Sequence, residues 1–503
     1  MERYWPVTVE LTTFLTFFAT TLLEIIIQRH IYDTSLKDHA NRNKVQFCKT
    51  SENVECCNNS TDIGIKIQSS ADTEYWLLYI NLASLLLAIP STILLGIWGE
   101  IEGRKMVLIV SLIGTVLRVA LFIIIIHFQE PLLFFVIVSA MTSILGYNTS
   151  FMASSMAFIA DITSSRQRTL RIVFLDFAAE FGIGLAYFIN GFYLESDWFP
   201  DFLWLVIGIS IFNIMYVVCF VEKTILSYEA TPVCSCNYFV GMCSVFSFDP
   251  GNGRRWRLLT FSAAFFIGGI VIIGTDNLII LYAQTSLCFS LVLTGYLSGA
   301  LTLRFIPSLI GVKLLQTILK VSNNWIIEAG LVSFFAGLIL AAFSSTTRLF
   351  FNVPAFQLLG VMPLAVMKAS LSRLVEPQEQ GTLFAVVSCL ESLATFLGVF
   401  MFRRLYRVTS PMFPGLSFVI GALLLVVPAI LVGIIHRNED PTAGNLFYSC
   451  ESSESDFARQ CSISTRSRSS PRICRVPVVT TEDLRSSYHE SIINASENQG
   501  ISF

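Results

Sequence analysis

Long apolar runs, broken by short polar or turn-forming segments, dominate the chain up to His436. Twelve such runs begin near Val7, Tyr75, Met106, Leu132, Ile172, Phe202, Arg257, Val292, Ile326, Leu349, Thr382 and Gly415. Each can supply the roughly 20 apolar residues that an α-helix needs to cross a bilayer core of about 30 Å. The runs lack the period-2 alternation of a membrane β-barrel. The fold class predicted is therefore all-α, a polytopic membrane protein with twelve transmembrane helices. Only Gln129-Glu130-Pro131 separates the third run from the fourth, which predicts a helical hairpin. The first run carries Glu10 and Glu24, has only Arg3 ahead of it and shows no small-x-small cleavage site, so it is read as a retained helix and not a signal peptide.

The pattern breaks once in the middle. Residues 222–256 hold Pro232, the turn-forming Asp249-Pro250-Gly251-Asn252-Gly253 and the Arg254-Arg255 pair, with six runs on either side. This predicts a first six-helix bundle over 1–221 with an outer loop at 28–74, a middle loop at 222–256, a second bundle over 257–436 and a polar, disordered tail at 437–503. Composition agrees. Hydrophobic residues make up 54% of the 503 positions and charged residues only 14%, against roughly 25% charged in soluble proteins. A net charge of −3 offers no basic excess for a nucleic-acid polymer.

Lys and Arg in short loops set the orientation. One set of loops holds Arg104, Lys105, Arg166, Arg168, Arg171, Lys223, Arg254, Arg255, Lys320 and Arg373; the other holds Arg348, Arg403, Arg404 and Arg407. The first set is expected to be cytoplasmic, which puts both termini inside. The loop after the first helix then lies outside, and it contains two overlapping glycosylation sequons at Asn58 and Asn59. Cys48, Cys56, Cys57 and Cys288 fall on that oxidising side, where four cysteines allow three pairings. The remaining inner cysteines have no histidine near them, and no metal site is expected.

Two kinds of residue carry candidate chemistry. Between the second and third runs stands Gly96-Ile-Trp-Gly-Glu100-Ile-Glu-Gly103-Arg104-Lys105. Gly103 permits a tight turn, and Glu100 and Arg104 can pair with a helix end or with each other to latch an inner gate, with Gly96 and Lys105 completing the motif. The second kind is charge inside the membrane, costly at about 2.5–3.5 kcal/mol on insertion scales and functional by default. The set is Glu24, Arg118, Asp176, Glu180, Asp276, Arg304, Glu328, Lys368 and Glu391. Asp176 and Glu180, four residues apart, share a helix face, and two carboxylates in a low-dielectric site do not both ionise easily. They are the proton-coupling candidates; a structural pairing such as Glu180 with Arg118 is the plain alternative. Lys368 and Arg304 are candidates to hold an anion's carboxylate or phosphate, together with Asp276 and Glu391. For Lys368 the alternative is snorkelling to the cytoplasm. For Arg304 it is a salt bridge with Glu328, Glu391 or Asp276, in a helix loosened by Pro307.

The motif spacing G-x3-[D/E]-x2-G-R-[K/R] and the two halves resemble the major facilitator superfamily. Ala160-Asp-Ile-Thr-Ser-Ser-Arg-Gln-Arg-Thr-Leu-Arg171 with Asp176, Cys288 with Gly295-Tyr296, Lys313-Leu-Leu-Gln316, and Leu371-Ser-Arg-Leu-Val375 with Glu379-Gln-Gly-Thr-Leu-Phe384 resemble the proton-coupled folate transporter family, the forty-sixth solute carrier family. The resemblance covers nearly everything but the middle loop and tail. It implies a proton-coupling role for Asp176, at a family glutamate, and a substrate and proton role for Lys368, at a family arginine whose bidentate fork is lost. It implies gate roles for Glu100 and Arg104 and an outer disulfide between Cys57 and Cys288. The chain departs from the family at Ser139 (an arginine there), Tyr147 (an aspartate), Ile272 (a histidine) and Arg304 (uncharged).

The function expected is secondary-active transport of organic anions by proton-coupled symport, with folate-like, cyclic dinucleotide or muropeptide-like solutes as candidates. The alternatives are a non-transporting membrane sensor and a proton-independent facilitative carrier. No clustered histidine, nucleophile or H-E-x-x-H set points to an enzyme. No cofactor is expected beyond the proton as coupling ion. The expected partners are a small anionic solute and the lipid bilayer, with the chain a monomer or homo-oligomer. The location expected is the plasma membrane, with the lysosomal membrane as the alternative.

Overall fold

The computed structural model describes residues 8–43, 60–193, 201–222, 253–289, 291–376 and 379–437. The first half comprises α1 (Val9–Asn43), α2 (Ser60–Glu102), α3 (Arg104–Phe128), α4 (Leu133–Ser143), α5 (Tyr147–Ile162), α6 (Ser165–Tyr193) and α7 (Asp201–Phe220). The second comprises α8 (Arg254–Thr285), α9 (Leu291–Leu303), α10 (Phe305–Lys313), α11 (Asn323–Phe343), α12 (Thr347–Phe350), α13 (Val353–Phe356), α14 (Met362–Arg373), α15 (Gln380–Thr409) and α16 (Leu416–Arg437). Eleven stretches among the described residues are long and apolar enough to cross a membrane as helices. The tenth span of the twelve is the one broken into three pieces, α12 to α14.

Local chemistry explains the breaks. The fourth span turns at Gly146 and Tyr147, both at positive φ (86° and 42°); only the glycine takes such a conformation without cost. The eighth span breaks at Arg304, which caps α10, with Pro307 in the first turn, where a missing N–H costs nothing. The tenth span carries Pro354 and Pro363 at the starts of α13 and α14, leaving residues 357–361 outside regular helix. The hairpin expected at 129–131 forms as read: Gln129 closes α3 in the left-handed conformation and donates to the carbonyls of Ile125 and Ile126.

One expectation is corrected. The outer loop read at 28–74 is largely helical, because α1 runs on to Asn43 and α2 starts at Ser60. At 1.5 Å per residue these helices of 35 and 43 residues are about 52 and 65 Å long, well beyond a bilayer core. A contact of 2.6 Å between His39 Nε2 and Asp72 Oδ2 ties their extensions together. Polar positions such as Asp33, Lys37 and Asp38 interrupt the apolar run but not the helix, since charged residues are compatible with helix outside lipid.

The packed cores follow the two halves. One cluster is built almost wholly from the second half, around Phe265, Phe334, Phe350 and Phe418. Two clusters belong mainly to the first half, one around Phe151, Met156 and Phe158, the other around Leu23, Phe122 and Phe135. Helix association in lipid rests on such close packing and on interhelical polar contacts, since burial from water supplies little there.

Candidate functional site

Lys368 lies on α14 with its side chain only 2% exposed, so it does not snorkel. Its Nζ donates to Asp176 Oδ1 and Oδ2 at 3.1 and 3.3 Å and to Glu391 Oε1 at 2.7 Å. Asp176 comes from α6 in the first half and Glu391 from α15 in the second, so one ammonium ties the halves together. Its burial is tolerable because two carboxylates satisfy it; removing one partner of such a group typically costs about 3–5 kcal/mol.

A second cluster forms where two helix breaks meet. Arg304, at the α9–α10 break, donates through Nη1 to Gln357 Oε1 at 2.6 Å and pairs through Nη2 with Asp276 on α8. Its guanidinium stands 5.7 Å over the Phe334 ring. Three polar atoms here are buried without a hydrogen-bond partner: Arg304 Nε, Gln357 Nε2 and Asp276 Oδ1. Of the partners considered for Arg304, the structure selects Asp276 and adds Gln357, which sequence reasoning missed. The available signal was the Pro354, Gly360 and Pro363 pattern around it, which marks an unwound segment of the kind that lines carrier binding sites.

Glu180 stands one helical turn beyond Asp176. No ion pair or hydrogen bond is recorded for it among the described residues, and the charges acting on it are Arg304, Asp276, Asp176 and Glu391. Its expected alternative partner, Arg118, is elsewhere. Arg118 Nη2 donates to Ser84 Oγ at 2.6 Å and to the Ser139 carbonyl at 3.0 Å, and the guanidinium lies 3.9 Å from the centre of the Tyr147 ring. Ser139 and Tyr147, two of the positions where the chain departs from the family it resembles, thus form the cage of one arginine. Ile272, another departure, is packed in the second-half core. The central layer therefore holds four carboxylates (Asp176, Glu180, Asp276, Glu391) and two cations (Lys368, Arg304).

The Gly96–Lys105 motif closes one end of the bundle. Glu100 Oε1 accepts from the Thr382 backbone N–H at 2.7 Å and from its hydroxyl at 3.0 Å, across the two halves. Arg104 Nε donates to Asp161 Oδ2 at 3.0 Å. Glu100 and Arg104 thus bind a helix start and a third residue, and no ion pair joins them to each other. Gly103 makes the turn at φ 99°. A Cβ at Gly96 would meet the Ala385 Cβ at 2.7 Å, so this glycine lets α2 and α15 touch. Lys105 Nζ donates to the Val218 carbonyl at the end of α7. Further crossings reinforce the same end: Arg168 Nη1 to Ser372 Oγ at 3.1 Å and Arg373 Nη2 to Thr169 Oγ1 at 2.6 Å.

Cys288 is a free, exposed cysteine in this structure, with φ 52°, so the disulfide that the resemblance implies is not formed at this residue here. Cys57, Asn58 and Asn59 lie outside the described residues, as does most of the middle loop and the tail. Among the described residues no group of three or more His, Cys, Asp or Glu is arranged to hold a metal ion.

The Major Facilitator Superfamily model matches residues 11–399. The chain belongs to the major facilitator superfamily. Among curated relatives, the proton-coupled folate transporter of Rattus norvegicus is 29% identical over 430 residues, 85% of this chain and 92% of the relative. The human lysosomal proton-coupled steroid conjugate and bile acid symporter SLC46A3 is 27% identical over 438 residues, 85% and 94% of the two chains. The fold is shared with the human organic anion transporter MFSD10 (TM-score 0.64, 15% identity, 86% of this chain and 99% of that one). It is also shared with the transporter FucP in its outward conformation (TM-score 0.57, 13% identity, 87% and 100%). This major facilitator protein is accordingly a multi-pass membrane transporter and not an enzyme.

Proposed function

We propose that this chain is a proton-coupled symporter of organic anions. The observation that carries the reading is Lys368 held between Asp176 of one half and Glu391 of the other. Protonation of Asp176 removes one of the two charges gripping the ammonium and weakens the tie between the halves. An anionic group can then take its place on Lys368, or on Arg304 with its unsatisfied Nε. The excess of carboxylates over cations supports coupling to protons, because uncompensated charge in a low-dielectric layer is costly and proton uptake relieves it. The names of the relatives support both proton coupling and organic-anion cargo.

In this reading the Gly96–Lys105 latch is the cytoplasmic gate, both termini are cytoplasmic, and the loop bearing Asn58, Asn59 and Cys57 faces outward, with Cys57 bonded to Cys288. Orientation and sequons fit the plasma membrane and the lysosomal membrane, home of one named relative, alike; the plasma membrane is favoured because the tail sequence holds no strong acidic dileucine signal. The test is uptake of radiolabelled folate, a cyclic dinucleotide and a muropeptide by expressing cells at mildly acidic and at neutral outside pH. Acid-stimulated, saturable uptake of one of them is the result expected; uptake of a solute that ignores an imposed pH gradient would remove proton coupling.

A further inference from the structure

Glu328 is a membrane carboxylate that the transport site does not use. It lies on α11 between Trp325 (i−3) and Val332 (i+4), which are 58% and 65% exposed and mark the face turned away from the protein. That face continues to Phe343, also 68% exposed, and the neighbouring α16 presents Leu423, Ile430 and Ile434 to the same surroundings. In a multi-pass protein these apolar surfaces meet lipid. Glu328 is five residues from the start of α11, about 7.5 Å along the axis, in the end of the span nearer one membrane surface.

The surface around it is shaped. Gly433 on α16 faces the carboxylate; a Cβ there would come within 3.9 Å of Glu328 Oε1. The missing side chain at Gly433 leaves room between the two helices beside Glu328, and this furrow is the α11–α16 groove. Trp325 closes the end toward the membrane surface, its ring in edge contact with His436 at 5.3 Å between centroids. No lysine or arginine forms an ion pair with Glu328 among the described residues, and the titratable side chain that acts on it is His436. A carboxylate in such a place calls for a cation from its surroundings. An indole face beside a carboxylate is also the pairing that attracts an ammonium.

We infer that the α11–α16 groove binds the primary-amine headgroup of an aminophospholipid. Its ammonium donates to Glu328 and rests against Trp325, and its acyl chains lie along the exposed apolar residues of α16. The occupant is a lipid because the flanking surface is apolar over the length of both helices. The headgroup is one that carries an ammonium because the groove's floor is a carboxylate.

The test is native mass spectrometry of the full-length protein released from mixed micelles holding equal amounts of dioleoyl phosphatidylethanolamine and dioleoyl phosphatidylglycerol. Wild type is expected to retain the ethanolamine lipid several-fold over the glycerol lipid. Glu328→Gln, which keeps side-chain size, is expected to bring that ratio to unity, and Trp325→Leu to lower it part-way. Replacing the ethanolamine lipid by its phosphatidylcholine counterpart, which has no N–H to donate, is expected to reduce retention. Equal retention of the two lipids by wild type would overturn the inference, as would a Glu328→Gln protein that keeps the wild-type preference. A monodisperse gel-filtration profile for each variant separates loss of the site from loss of the fold.

Discussion

Arg118 and Lys368 are both cations buried within membrane spans, yet they are held in opposite ways. Arg118 sits inside the first half, where two serine hydroxyls, a carbonyl and the face of Tyr147 surround it. All of these belong to α2, α4 and α5, and the carboxylate whose charge acts on Arg118, Glu24, belongs to α1, so nothing around it changes when the halves move as bodies. Lys368 is held by carboxylates, and one of them, Asp176, belongs to the other half. Its environment must change in any rocking motion. A buried cation whose neighbours all lie within one bundle is therefore architecture. One held by titratable groups across the bundle interface is a moving part. Arg304 is intermediate: its partners Asp276 and Gln357 lie in its own half, but they stand at helix breaks and leave donors unused.

That contrast can be broken experimentally. The largest effect is expected for Lys368→Met, which leaves Asp176 and Glu391 facing each other without a cation. Destabilisation of about 3–5 kcal/mol is expected, with transport lost, read by thermal unfolding in detergent and by uptake. Adding Asp176→Asn to Lys368→Met should recover part of the stability but not transport. Arg118→Met should also destabilise, by about 1–3 kcal/mol for the acceptors left unmade. Any uptake that remains should still be stimulated by acid. A loss of acid stimulation in Arg118→Met with the fold intact would erase the distinction drawn between the two cations.

Smaller effects sharpen the picture at the ends of the bundle. Glu100→Gln weakens the two charge-assisted bonds to Thr382 and should cost about 1.5–3 kcal/mol of latch stability. This would shift the population toward the state open at that end, measured as faster labelling of a cysteine placed at Ser154. Glu74, at the opposite end, meets Arg407 at 3.1 Å and Arg403 at 3.6 Å on exposed side chains. Glu74→Gln should change stability by no more than about 1 kcal/mol and lose even that in high salt.

Much of the architecture was legible in the sequence, because apolar runs of membrane length report spans almost directly. The Gln129–Pro131 hairpin and the loosening near Pro307 were readable for the same kind of local reason. The break at residues 357–361 was not placed, although its prolines were visible, since an unwound segment is stabilised by partners from other spans. Ser308 Oγ, for example, donates to the Leu358 carbonyl at 2.6 Å. The charged candidates were all identifiable from their cost in lipid, but their pairing was not. Asp176 and Lys368 are 192 positions apart, and only the packing of α6 against α14 brings them together. Glu100 and Arg104 illustrate the same limit: adjacent on one motif, they spend their charges on Thr382 and Asp161.

The central claim is that protonation at Asp176 loosens the tie between the halves. The most direct measurement is the distance between spin labels on Glu102 of the first half and Glu376 of the second, both exposed at the latch end. It is taken in purified, solute-free protein and again in Asp176→Asn. The distribution should shift toward longer distances as pH falls from about 7.5 to about 5.5 in wild type, because proton uptake favours the state that binds the extra proton. Asp176→Asn should give one distribution at both values, resembling wild type in acid. A wild-type distribution that does not move with pH, or an Asp176→Asn protein that moves as wild type does, would contradict the account.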